Sequence, residues 1–302
     1  LKYHLLVVDG MALLFRAFFA TAVQRNFMIN SQGVPTNAVQ GYLKHLLTAV
    51  DHVQPTHLAI CWDMGSVTFR NEMYEGYKAN RQAPPVEMAP QFDLAKDVTT
   101  ELGILNIGVK GFEADDCIGT LCQELKQDED LVLTVLTGDR DLLQIVDDKV
   151  SVLLLQKGIG NYLHYTRAAY VDEFQLEPKQ LIDVKALMGD PSDGYPGVKG
   201  IGEKTAYKLI RNYETIEGLF ANFNQLTPTI QKKLEQDKEM LHLSRKLATI
   251  HCNVPLDFYL DQAEWQLDLN KILPLIEGYE LKSVRNTLLK LNNTTTQTSL
   301  SL

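Results

Sequence analysis

A unit repeated through the first half of the chain constrains the fold most. A short apolar run ends in or near an acid, and a stretch with helical periodicity follows. Leu5–Val8 ends in Asp9-Gly10, and Leu58–Trp62 ends in Asp63. Ile104–Val109 is followed by Glu113, and Leu131–Leu136 by Gly138-Asp139; Val150–Leu155 is a fifth run. Between the first two runs, Val39, Tyr42, Leu43, Leu46, Leu47, Val50 and Val53 recur at helical spacing over 36–53, and Pro55 stops them. Another helix is predicted from Glu113 to about Lys126. Strands alternating with helices imply an α/β fold, a mostly parallel central sheet flanked by helices.

From about Thr166 the strand signals stop. Short helices are predicted at 167–174, 178–188, 203–212, 215–221, 228–236, 238–250 and 280–291. The expected division is an α/β domain over 1–175 and an all-helical domain over 176–291. The Asn/Thr/Ser-rich segment 292–302 is expected to be a disordered tail. Residues 64–92, which contain Gly65, Gly76 and Ala83-Pro84-Pro85, form a long excursion of the kind that serves as a lid or binding loop.

Cys61, Cys117, Cys122 and Cys252 form no C-x-x-C pair and read as buried thiols of a reducing compartment. The N-terminal apolar run meets Asp9 too early for a secretory signal. No run reaches the roughly 18 residues of a membrane span, so a cytoplasmic location without a membrane partner is expected. The chain carries 29 basic and 38 acidic residues, a formal charge of −9. Taken alone, that sum argues against a nucleic-acid partner.

The positions of the acids say more than their number. In a doubly wound sheet, ligands sit outside the carboxyl ends of the strands. Asp9, Asp63, Asp139 and Asp141 follow strands there, and Glu113, Asp115 and Asp116 open a helix. Any one such Asp is ordinarily a turn former or helix cap, and acids in a first helical turn suit the helix dipole. Converging carboxylates are different. Two unit charges about 4 Å apart repel by roughly 4 kcal/mol at an effective dielectric near 20. Such a cluster calls for protons or cations, and oxygen-only donors point to Mg²⁺ or Mn²⁺ rather than zinc.

Two further segments carry bases. Gly197-Val-Lys199-Gly200-Ile-Gly202-Glu-Lys204-Thr205 reads as a tight turn feeding a helix. Its glycine spacing matches neither the dinucleotide fingerprint nor a phosphate-binding P-loop. It has the pattern of a helix–hairpin–helix turn, which binds nucleic-acid backbone without reading sequence. Lys199, Lys204, Lys208 and Arg211 against Glu203 make it locally basic. In the excursion, Arg70, Tyr74, Tyr77, Lys78 and Arg81 interleave bases and aromatics, which suits a single strand. Glu72, Glu75 and Glu87 cancel its charge, so a solvated helix face is the competing reading.

Together these motifs resemble the flap endonuclease family, and within it the bacterial 5′-nucleases found alone or as the N-terminal part of DNA polymerase I. The resemblance runs from Asp9 to about residue 260. Val8-Asp9-Gly10 with Phe15-Arg16-Ala17 resembles the opening block. Tyr77-Lys78-Ala79-Asn80-Arg81 resembles the part of the family's helical arch that touches substrate phosphates. Glu113-Ala114-Asp115-Asp116 and Gly138-Asp139-Arg140-Asp141 match the central acidic blocks. Leu187-Met188-Gly189-Asp190-Pro191-Ser192-Asp193, followed by Pro196 to Ala206, matches the last acidic pair and the DNA clamp.

The resemblance implies a PIN-like α/β domain with a helix–hairpin–helix domain behind it. The implied activity is 5′–3′ exonuclease and 5′-flap endonuclease cleavage of DNA, extending to RNA primers, by two-metal-ion hydrolysis. Asp9, Asp63, Glu113, Asp115 and Asp116 are implied for the first metal cluster, with Asp115 and Asp116 nearest the ion. Asp139, Asp141, Asp190 and Asp193 are implied for the second. Lys78 and Arg81 join Asp115 and Asp116 as catalytic residues. The implied DNA contacts are Arg16, Arg70, Tyr77, Lys78, Arg81, Gly197, Lys199, Gly200, Gly202, Lys204 and Thr205. Two or more Mg²⁺ or Mn²⁺ ions, K⁺ at the turn and a nucleoid-associated stand-alone monomer complete the expectation. One departure stands out: Gly194-Tyr195 follow Asp193 where the family has Asn and then an aliphatic residue.

Two other readings fit part of the pattern: a PIN-type endoribonuclease, which would leave the clamp unexplained, and a DNA-binding module, which would leave the acids unexplained. Setting aside the nine implied ligands leaves 29 acids against 29 bases. The negative excess thus belongs to the expected site and ceases to argue against DNA.

Overall fold

The computed structural model describes residues 2–299. The first half runs β1 (Tyr3–Asp9), α1 (Gly10–Ala22), α2 (Asn37–Val53), β2 (His57–Cys61), α3 (Phe69–Met73), α4 (Ala89–Glu101), β3 (Leu105–Ile107), α5 (Ala114–Leu125), β4 (Leu131–Thr137), β5 (Val150–Leu155) and β6 (Tyr162–Tyr165). The second half is helical: α6 (Arg167–Phe174), α7 (Leu181–Met188), α8 (Glu203–Tyr213), α9 (Ile216–Ala221), α10 (Pro228–Gln236), α11 (Lys238–Ala248), α12 (Leu269–Gly278) and α13 (Lys282–Ser299).

The six strands form one sheet in the order β3-β2-β1-β4-β5-β6. The first five are parallel, and β6 returns antiparallel to β5. β1 is central because both its faces are apolar: Leu5 and Val7 point into one core, Leu6 and Val8 into the other. On the first face, Cys117, Ile118 and Leu121 of α5 cover the sheet and continue into the helical half through Val184, Leu187 and Ile210. On the second face, Leu13 and Leu14 of α1 and Leu43 and Leu46 of α2 cover it. The strand order reverses at β1, between β2 and β4. A crevice therefore opens beyond their carboxyl ends.

Four features differ from expectation. β6 is a short edge strand with two exposed middle residues, so it carries no apolar signature. α12 contains Pro274, a residue that argues against helix in a sequence. Ile272, Ile276, Val284 and Leu288 of α12 and α13 pack into the α1–α2 core, so the last helices lean on the α/β half rather than on the helices before them. α13 runs on to Ser299 where a disordered tail was expected; residues 300–302 lie outside the described residues. The 64–92 excursion is mostly irregular, its one helix being the five-residue α3 before α4 begins. Cys61, Cys117, Cys122 and Cys252 are free thiols, and the first three are buried. Among the described residues no helix is long and apolar enough to cross a membrane.

Candidate active site

The crevice beyond β1 and β4 is an acidic cleft of about 530 Å³. Asp9, Asp63, Glu113, Asp115, Asp139, Asp141, Asp190 and Asp193 line it, together with Arg16, Lys78, Arg81, Arg140 and Lys185. Thus eight of the nine expected acids meet in one place, drawn from strand ends, the start of α5 and the loop after α7.

Local structure explains how they are held. Asp9 Oδ1 accepts the Ala12 N–H at 2.9 Å and caps α1, while Oδ2 accepts the Thr137 hydroxyl at 2.8 Å. Asp63 Oδ1 accepts the Ala114 N–H at 2.7 Å, tying the end of β2 to the start of α5. Asp139 Oδ1 accepts the Asp141 N–H at 2.8 Å and opens a 3-10 turn, Arg140–Ile145. The cap reading and the ligand reading of these acids are therefore compatible. Caps fix the carboxylates at the crevice.

The loop after α7 depends on glycine. Gly194 has φ +79, and a Cβ there would lie 2.5 Å from the Gly76 carbonyl oxygen of the excursion. Its N–H donates to the Asp190 carbonyl at 2.8 Å, closing the turn that sets Asp190 near Asp193. The departure Gly194-Tyr195 thus permits a close crossing of two chain segments, and Tyr195 is buried beneath it. One carboxylate oxygen from each of Asp141, Asp190 and Asp193 lies within 4.8 Å of the other two, the one such group among the described residues.

Burial and mutual repulsion raise several proton affinities. Burial, and then the charges of Asp63 and Asp139, push Asp9 up to about 7 against its hydrogen bonds. Burial and then Asp139 push Asp141 up to about 7 despite Lys185 beside it. Asp115 stands well above the usual carboxylate range through burial, followed by Asp139, Asp9 and Glu113. The bases partly compensate. Lys78 Nζ donates to Glu113 Oε1 at 2.7 Å, Arg81 to Asp193 Oδ1 at 2.7 Å, and Lys185 to Asp141 Oδ1 at 2.6 Å and to Asp190. Donors of oxygen only, at this density and with residual charge, fit hard divalent cations.

Three expected site residues are elsewhere. Asp116 is fully buried outside the cleft, gripped by Arg70. Successive helical residues point about 100° apart, and here Asp115 faces the crevice while Asp116 turns toward Arg70. Arg70, 2% exposed, also donates to the carbonyls of Leu247 and Thr249 and cannot reach DNA. Tyr77 is likewise buried; its hydroxyl donates to Glu113 at 3.1 Å and Asp193 at 3.2 Å, bracing the excursion against both acid groups. At the turn before α8, Lys199, Gly200, Gly202 and Lys204 are exposed and Thr205 half-buried, whereas Gly197 is buried. The Lys199 N–H is already bonded to Asp237 at 2.7 Å, so this amide is not free for a phosphate. Arg16 lines the cleft and is anchored on the carbonyls of Gln156 and Leu155.

Sequence reasoning passed over Lys185 and Arg140. Lys185 carried a signal, as the one base in a buried, largely apolar helix five residues before Asp190. Arg140 lay in plain sight between Asp139 and Asp141.

Comparisons with known proteins agree with this geometry. A family model described as 5′–3′ exonuclease, N-terminal resolvase-like domain, matches residues 4–175, and one described as 5′–3′ exonuclease, C-terminal SAM fold, matches 176–270. A 5′–3′ exonuclease of Bacillus subtilis is 60% identical over 95% of this chain and 97% of its own length. The DNA polymerase I of Bacillus caldotenax is 38% identical over 94% of this chain, which spans 32% of that polymerase. Among solved structures, the T5 5′-exonuclease with bound divalent zinc ions superposes with a TM-score of 0.66 at 20% identity, covering 96% of this chain and 98% of that one. The catalytic core of Rad2 in complex with DNA substrate gives 0.59 at 15% identity, covering 96% and 92%. The PIN-like sheet, the helical half behind it and the acidic cleft at the sheet's carboxyl edge are those of a nuclease, and this chain belongs to the 5′–3′ exonuclease family.

Proposed function

We propose that the chain hydrolyses phosphodiester bonds in DNA bearing a 5′ flap or a single-stranded 5′ end, using two or more Mg²⁺ or Mn²⁺ ions. The observation that carries this reading is the cleft, where eight carboxylates face the bases Lys78 and Arg81 at the foot of the excursion. Asp9, Asp63, Glu113 and Asp115 would hold ions on the β1 side, and Asp139, Asp141, Asp190 and Asp193 on the α7 side. Bound divalent ions supply Lewis acidity to the phosphoryl oxygens and an acidified water.

The remaining work falls to the chain. Lys78 and Arg81 neutralise charge on the scissile phosphate as it builds up. Asp9, Asp63 and Asp139 are held by backbone donors and need little reorganisation. A second cavity of about 590 Å³, lined by Met11, Phe15, Phe92 and Lys96, lies under the excursion beside the cleft and gives a single-stranded 5′ end a passage. Lys199 and Lys204 hold the duplex phosphates behind it. The Gly200 carbonyl accepts from the Lys233 ammonium at 2.7 Å, so a K⁺ ion at the turn would have to displace that lysine. RNA primers paired to DNA are a second substrate class, and a monomer acting beside the chromosome suffices.

Labelled 5′-flap, nicked-duplex, single-stranded and structured-RNA substrates, each with Mg²⁺ or with EDTA, test the reading. Mg²⁺-dependent release of short products from the flap is expected. Cleavage of structured RNA with the flap left intact would favour an endoribonuclease. Cutting in EDTA would overturn the metal role.

A further inference from the structure

Lys185 lies on α7 among Leu181, Val184, Ala186 and Leu187, and its side chain is 11% exposed. A lysine so placed requires a compensating charge. It has two. Its ammonium donates to Asp141 Oδ1 at 2.6 Å and to Asp190 Oδ2. Asp141 belongs to the turn after β4 and Asp190 to the loop after α7, so one side chain links the α/β half to the helical half.

These two acids belong to the trio that brings one oxygen each within 4.8 Å of the others. The third, Asp193, has its own base, Arg81. Carboxylates this close separate or take protons unless a cation lies among them. Asp190 is also held by the N–H and hydroxyl of Ser192, at 2.7 and 2.6 Å, which fix its Oδ1. Its Oδ2 and Asp141 Oδ1 both face the ammonium.

We propose that Lys185 is a positioning residue for the second carboxylate group: a built-in counter-ion that holds Asp141 and Asp190 at metal-binding spacing before an ion arrives, and competes with that ion for the same oxygens. The proposal rests on reading the cleft as a divalent-ion site. A lysine is suited to the task because its compact charge sits on a flexible stem and can withdraw. Metal binding at this group is then an exchange of cations, weaker than the bare carboxylates would give.

The test is calorimetric titration of the DNA-free full chain with Mn²⁺, alongside melting in EDTA. K185M is expected to bind Mn²⁺ about tenfold more tightly at one class of sites, since a competing charge is gone. It is also expected to melt earlier than wild type in EDTA and to gain more on Mn²⁺ addition. K126M, which breaks the remote Lys126–Asp147 pair, is expected to leave Mn²⁺ affinity unchanged. Unchanged or weaker Mn²⁺ binding by folded K185M would overturn the proposal. Should K185M not fold, wild type decides: the Lys185 ε-methylene NMR signal, assigned by its loss in K185R, must move on Mg²⁺ saturation, and a static signal would overturn the proposal. Wild type that takes up no Mn²⁺ would instead sink the metal-site reading itself.

Discussion

Arg70 holds both oxygens of Asp116, at 2.7 and 2.8 Å, in a pair that is nearly sealed from water. Asp116 also accepts the backbone N–H groups of Glu113 and His251, so it ties together the excursion, α5 and the segment after α11. Its neighbour Asp115 faces the cleft. Adjacent acids therefore have separable roles. D116A should destabilise the fold by about 3–5 kcal/mol, because it strands a buried guanidinium. D115A should abolish Mg²⁺-dependent cleavage while raising the melting temperature in EDTA, because it removes a repelling charge. Denaturant unfolding and a flap-cleavage assay on the two variants check this; equal stability losses would refute the division.

Lys78 sits at φ +54, a left-handed conformation held by its N–H donating to the Asp193 carbonyl at 2.7 Å. Its ammonium is the base on Glu113. K78A should slow cleavage about 10²-fold, the usual cost of losing one charge-stabilising donor. Duplex affinity should barely change, because the turn before α8 is untouched. Single-turnover rates and filter binding separate the two, and equal losses in both would contradict a role confined to the reacting phosphate.

The convergence of Asp9, Asp63 and Asp139 could be read from the chain because parallel strands joined by helices bring every strand's carboxyl end to one edge of the sheet. Strand order was not needed for that conclusion. The partition of Asp115 and Asp116 was hidden because it depends on helix phase and on a guanidinium 46 residues away in sequence. Arg70 and Tyr77 looked like substrate contacts because an irregular excursion gives no periodicity from which to judge burial. Lys185 escaped for a related reason: one of its carboxylates lies 44 residues upstream and reaches it only once the two halves have docked. Tertiary pairing of charges, rather than local pattern, separates the residues found from those missed.

The crowded cleft makes folding stability sensitive to metal. Repulsion among Asp9, Asp115, Asp139 and Asp141 is relieved when a divalent ion binds the folded chain alone. At about a hundredfold excess over its dissociation constant, such an ion adds roughly 2.7 kcal/mol. That corresponds to a rise of about 4 °C in melting temperature for a chain of this size. Calorimetry in EDTA and in millimolar Mg²⁺ measures it. Monovalent salt at equal ionic strength should give a smaller rise, and no difference between the two would count against a carboxylate metal site.

His45 gives stability a pH dependence separate from the cleft. It is 4% exposed on α2, its Nδ1 has no partner, and burial and then Arg16 lower its pKa to about 4. The folded chain therefore resists protonation of this ring more than the unfolded chain, whose value is near 6.5. The sign follows: the contribution is complete above about 6.5 and is lost as pH falls toward 4. H45Q should flatten this part of the stability profile, so wild type minus variant should fall between pH 7 and 5. A constant difference across that range would show that the ring does not titrate there.

The exposed bases of the turn before α8 should govern duplex affinity. Lys199 and Lys204 have no acidic partner among the salt bridges of the described residues, unlike Lys78, Arg81 and Lys185 in the cleft. Each phosphate they neutralise releases condensed counter-ions, and the log–log salt slope falls by about 0.9 per contact. The double variant K199A/K204A should therefore bind blunt duplex more weakly and lower the slope by roughly 1.8. Cleavage at saturating substrate should persist, since neither lysine lines the cleft. Binding isotherms at several salt concentrations, in Ca²⁺ to prevent turnover, give the slope directly. An unchanged slope would show that the duplex phosphates rest on other bases, and a lost turnover rate at saturation would place the turn within the reaction itself.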